Sequence, residues 1–109
     1  MQLTTLLFRH RNQQLASELA RQIARDSQPV VWDRVRGRIF EMNVAEARGY
    51  VRARAWEVLR TRTETAMAMN QRQDAALAQR ILFEASERLV QRIIADLLAG
   101  SSIARRAAA

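Results

Sequence analysis

What most constrains this chain is how little in it can interrupt a helix. It has three glycines and one proline in 109 residues, almost no Asn-Gly or Asp-Gly turn signals, and no sustained alternation of apolar and polar positions. Strong helix formers such as alanine, leucine, arginine, glutamine and glutamate fill most of the remainder and carry small propensity penalties. A sheet would need β-branched alternation and tight turns, and neither is present. The expected fold is all-α, a three- to four-helix bundle with long antiparallel helices, completed by dimerisation. A chain of this length reads as one domain, near the size at which association supplements a small core.

Four helices are expected. The first covers residues 4–25, with Phe8, Leu15, Leu19 and Ile23 on one side. The stretch from Asp26 to Pro29 should end it, because a proline pushes the residue before it out of helical geometry and itself suits the first turn of a new helix. The second helix covers 29–42, with Val31, Val35, Ile39 and Met42 on one stripe. Asn43 and Glu46 have the spacing of a variant capping box, which starts a third helix at Val44. Over 44–69 the apolar arc is Val44, Ala47, Val51, Ala55, Val58 and Met69, widened by Leu59 and Ala66. Gly49 inside this helix costs about 1 kcal/mol relative to alanine, a cost that close helix packing would explain.

The last helix covers 71–99 and is apolar over about half its circumference, wider than the roughly 100° stripe that one core face needs. Such a face belongs either at the centre of a bundle or against a second chain. Leu82, Leu89, Val90, Ile93, Ile94 and Leu97 are therefore the candidate oligomer interface. The junction between the third and fourth helices has no strong breaker, so a hairpin and one long rod both fit it. Gly100 suits a helix C-terminus, which divides the chain into a helical domain, 1–100, and an Arg/Ala-rich mobile tail, 101–109.

The charge is one-sided. All eighteen basic residues are arginine, against eleven acids, for a net charge of +7. A GC-rich coding sequence explains arginine in place of lysine, but it does not explain clustering. Between Arg34 and Arg62 there are eight arginines and three acids, whereas residues 63–100 hold four arginines and five acids. Clustered cations build a potential that favours an acidic partner, and the guanidinium fork matches phosphate well.

Catalytic chemistry finds little here. His10 is the one histidine and has no patterned acid or nucleophile beside it, and there is no cysteine. Metal-ligand spacing, a phosphate-cradling glycine loop and a patterned carboxylate pair are all missing. No catalytic residue, metal site, cofactor or small-molecule substrate is therefore expected. Apolar runs are much shorter than the roughly 20 residues a bilayer span requires. The N-terminal order, an apolar patch followed by Arg9 and Arg11, reverses that of a secretory signal, so a cytoplasmic location without membrane association is expected.

Arg34, Arg38, Arg48, Arg52, Arg60 and Arg62 are the candidate nucleic-acid contacts, since helix-borne arginines can meet successive phosphates without reading bases. Duplex binding by shape is expected first, because no helix-turn-helix, finger or RNA-binding signature is visible. Trp32, Tyr50 and Trp56 lie among these arginines and could stack on unpaired bases, although tryptophan in a small helical domain more often packs in a core or interface. The competing expectation is a protein-interaction or scaffold module that forms a homodimer through its last helix.

Overall fold

A computed structural model describes the backbone of residues 2–108 and the side chains of residues 6, 7 and 9–100. It contains three long helices, α1 (Gln2–Val35), α2 (Val44–Met69) and α3 (Ala75–Ala108), with a short 3-10 turn at Ile39–Glu41 between the first two. No strand occurs among the described residues. No described helix is long and apolar enough to cross a membrane.

The expected break at Asp26 to Pro29 does not occur. α1 continues through Pro29 to Val35, so the first two expected helices are one. Pro29 lacks the N–H that would bond to the residue four before it, at a cost of about 3 kcal/mol in a helix interior. The next two turns offset this, because Val31 and Val35 are completely buried and each contributes roughly 1.5–3 kcal/mol on leaving water. α1 ends before Gly37. The chain then turns so that Ile39 folds back into the core with no exposed surface. Phe40 meets the edge of Trp32 with ring centroids 6.0 Å apart.

The start of α2 matches the local expectation. Asn43 accepts a hydrogen bond from the Glu46 backbone N–H at 2.8 Å, and the Glu46 carboxylate accepts from the Asn43 N–H at 3.4 Å. At the other end α2 and α3 form a hairpin. Gln71 adopts φ 54°, its N–H donates to the Ala68 carbonyl, and the Arg72 N–H donates to that of Met67. This reversal usually employs glycine at the left-handed position. Asp74 then caps α3 by accepting from the N–H groups of Ala76 and Leu77 at 3.0 and 3.2 Å.

Side-chain contacts fix the directions of the helices. Ser17 of α1 donates to Glu84 of α3, and Gln28 donates to Asp96 at 2.6 Å, so α1 and α3 run parallel. Arg52 of α2 reaches Glu87 of α3 at 2.9 Å, and with the short hairpin this makes α2 antiparallel to both. The core lies along the shared axis. On α2 it is Ala47, Val51, Ala55, Leu59, Thr63 and Met67, spaced by four; on α3 it includes Leu77, Ile81, Ala85, Leu89 and Ile93, also spaced by four. On a helix of 3.6 residues per turn, that spacing rotates the buried line about 40° at each step. The line therefore moves round α2 between its two neighbours. This is why Val44 and Met69 are exposed although they share an arc with Val51, and why Met67 is buried instead.

Gly49 is exposed, and a Cβ added there would meet nothing within 4 Å, so close packing does not account for it. Gly49→Ala is expected to stabilise the protein by about 0.5–1 kcal/mol, measured as a higher urea midpoint at unchanged slope. Gly100 lies within α3 rather than after it. The side chains of 101–109, where the tail is expected, lie outside the described residues.

Candidate nucleic-acid interface

The six expected phosphate contacts are all mounted on α1, α2 or the turn between them, but they do not share one face. Arg34 is in the last turn of α1 and Arg38 immediately precedes the 3-10 turn. Both are exposed and without an acidic partner among the described residues. Arg48 and Arg52, four apart, share the flank of α2 that faces α3, where Arg52 is bound to Glu87. Arg60 pairs with Glu57 at 3.2 Å. Arg62 is half-buried and, two residues on, points about 160° away from Arg60. Arg54, outside the expected set, lies over the Tyr50 ring at 5.6 Å.

The aromatic residues are also separated. Trp32 and Tyr50 are half-buried, and Trp32 is occupied by Phe40. Trp56 is 47% exposed and lines a groove of about 310 Å³ between α2 and α3 with Leu82, Phe83 and Ser86.

The face expected to meet a second chain is mostly occupied by the bundle itself. Leu89, Val90, Ile93 and Ile94 are at most 3% exposed, and Leu82 and Leu97 pack half-buried against the same core. The wide apolar arc is explained by α3 having two neighbours, α1 and α2. Among the described residues, the large apolar side chains that α3 leaves exposed are Phe83 and Leu98.

Ion pairs sort the remaining charge. Glu18, Asp26, Asp33, Glu57, Glu84 and Glu87 each hold one arginine. The hydrogen bond from Arg21 holds the Glu18 carboxyl below its ordinary range, and Glu18 in turn raises Arg21. Glu46 and Asp74 cap helices, and Asp96 accepts from Gln28. Only Glu41 and Glu64 have neither role among the described residues. Ten described arginines, by contrast, lack an acidic partner: Arg34, Arg38, Arg48 and Arg62 from the expected set, and six others along the chain.

Four of those six could not be found by reading along the chain. Arg9 and Arg11 on α1, Arg72 in the hairpin and Arg80 on α3 come to the same end of the bundle as Arg62. Arg9 and Arg80 line one cavity of about 300 Å³ with Asn12, Gln13 and Asp74. No local pattern marks them, because parallel packing of α1 on α3 brings them together. A second groove of about 490 Å³ lies between α1 and α3, with Arg25, Gln28, Arg92 and Asp96 around Pro29, Trp32 and Ile93. There Arg92 donates to Gln28 at 2.7 Å.

His10 is exposed and accepts from Gln14 at 3.1 Å. No group of three potential metal ligands occurs among the described residues. The chain matches no protein-family model, no curated protein and no solved structure.

Proposed function

We propose that this protein binds nucleic acid without catalysing a reaction, gripping the phosphate backbone of a duplex through helix-borne arginines. The observation that carries the reading is the imbalance of partners: ten described arginines have no acid, whereas only five acids, Glu41, Glu46, Glu64, Asp74 and Asp96, hold no arginine. Such a surface attracts a polyanion, and each phosphate contact releases counterions from the duplex. Arg34, Arg38, Arg48 and Arg62 need no rearrangement of an ion pair to take part. Arg52 and Arg60 must leave exposed acids, a step of only about 0–1 kcal/mol.

Replacing both Arg48 and Arg52 with glutamine is expected to weaken binding to every duplex sequence alike. It should also flatten the log-log salt dependence by about 2 between roughly 50 and 200 mM salt. Equilibrium titration against a labelled duplex measures both, with circular dichroism to verify the fold. An unchanged slope in a folded double variant would remove these two arginines from the binding surface.

Self-association as a helical scaffold is the second reading, favoured by the exposed Trp56 and Phe83 beside half-buried Leu82. On that reading contact runs through the α2–α3 groove, with Leu82 as the one residue retained from the expected interface. Sedimentation should then show a dimer that Phe83→Ser converts to monomer. A monomer at every concentration of the unmodified protein would end it.

A further inference from the structure

Two of the large apolar side chains that the bundle leaves exposed meet at one groove. Trp56 of α2 is 47% exposed and Phe83 of α3 is 68% exposed, and they line the groove of about 310 Å³ from opposite helices. Leu82, packed against the core, gives it an apolar floor, and Gln79 and Ser86 add hydrogen-bonding groups to its α3 wall.

The apolar part of this groove is about one helical turn long. On α3, Gln79 and Glu87 stand four residues before and after Phe83; on α2, Arg52 and Arg60 stand four before and after Trp56, and Arg48 four before Arg52. Residues four apart on a helix follow one another about 6 Å along its axis with a rotation of about 40°. Arg48, Arg52, Trp56 and Arg60 therefore form one slowly turning stripe, an indole within a row of guanidiniums. Arg48 has no acidic partner among the described residues, while Arg52 and Arg60 are held only by surface pairs with Glu87 and Glu57, which exchange readily for other anions.

This arrangement does not suit a partner helix, whose apolar anchors recur at i, i+3, i+4 and i+7 and need a trough that stays apolar over several turns. The volume lies at the lower end of the roughly 300–1,000 Å³ typical of small-ligand pockets. A nucleotide matches both parts of the site. Its planar base offers a π face to aromatic walls and polar edges to Gln79 and Ser86, and its phosphates meet the flanking guanidiniums.

We infer that the groove between Trp56 and Phe83 receives an unpaired base of the bound nucleic acid, so that the preferred ligand is a duplex continued by a single strand. This rests on the proposed function and deepens it. Arg48, Arg52 and Arg60 hold the backbone that carries the base, and a fully paired duplex leaves the groove empty. Stacking accepts any base, because each has a π face.

The test titrates the full chain by fluorescence anisotropy with a labelled blunt DNA duplex of about two helical turns, with the same duplex bearing a short single-stranded overhang, and with the same pair in RNA. In at least one polymer the overhang probe should bind about tenfold more tightly than the blunt one. Trp56→Leu with Phe83→Leu keeps the groove apolar but removes its ring faces, and should abolish that preference while leaving affinity for the blunt duplex within about twofold. The chain has two tryptophans, which give a second readout on the unmodified protein. The indole N–H resonance of Trp56 should move on addition of the overhang probe, and that of Trp32, half-buried beside Phe40, should not. If blunt and overhang probes bind alike and the Trp56 resonance stays still, the groove takes no base, while backbone binding stands. If none of the probes binds at about 50 mM salt, the proposed function fails and the inference with it. If the unmodified chain sediments as a dimer that Phe83→Ser converts to monomer, a second copy covers the groove and the inference is overturned.

Discussion

Leu89→Ala is expected to lower the unfolding free energy by about 3–4 kcal/mol, independently of protein concentration. Leu89 has no exposed surface and lies midway along α3, where both neighbouring helices enclose it. Truncation there removes buried methyl groups and leaves a cavity that stiff helices cannot fully close. For a domain of about a hundred residues, this is a large share of a total of roughly 5–15 kcal/mol and shifts the melting temperature by about 15–25 °C. Urea unfolding at two protein concentrations tests it. If Leu89 instead supported a dimer, the midpoint of the unmodified protein would rise with concentration and the loss in the variant would vanish on dilution. A loss below about 1 kcal/mol would mean that α3 is not packed on both sides.

Pro29→Ala should have the second largest effect, in the opposite direction. Proline in a helix interior is about 3 kcal/mol less favourable than alanine, and Pro29 is exposed, so the substitution restores a backbone hydrogen bond without opening a cavity. Part of the gain is offset because proline also restricts the unfolded chain, by about 0.4–1 kcal/mol. A net rise of about 2 kcal/mol is expected in chemical unfolding. A variant less stable than the parent would show that packing around Ile39, Trp32 and Phe40 requires the backbone geometry that proline imposes.

These two substitutions test different kinds of information. Leu89 belongs to a periodic apolar stripe that is plain in the sequence, yet the stripe alone does not say whether its cover is another helix of the same chain or a second copy. α3 has a wide apolar arc because it touches two helices, and a wheel cannot count neighbours. Pro29 is a strong local signal that tertiary packing overrides. A local rule ends a helix there, but the burial of Val31 and Val35 outweighs the rule's energy. The start of α2 is legible in the sequence because it depends on near neighbours: Asn43 and Glu46 satisfy each other's backbone within four residues.

The binding surface follows the same division. Charge counted along the chain concentrates between Arg34 and Arg62, but a segment that spans the whole bundle cannot act as one patch. One of its arginines meets an acid supplied by another helix, Arg52 with Glu87. Arg9, Arg72 and Arg80 are dispersed in sequence and lie at one end in space. The exposed Trp56 stands out in the sequence as a residue able to stack, whereas nothing local marks Phe83, which lies beside it in the groove.

The helical class, the capped start of α2, the apolar stripes and the excess of arginine are legible in the chain before it folds. All of these arise from interactions within a few residues or from composition. Packing between helices settles that α1 passes through Pro29, that α3 is covered by two helices of its own chain, and which arginines remain without acids. Those outcomes depend on free energies of contact between residues distant in sequence. Burial worth several kcal/mol can overrule a local preference of about 3 kcal/mol, and the direction in which helices pack determines which charges become neighbours.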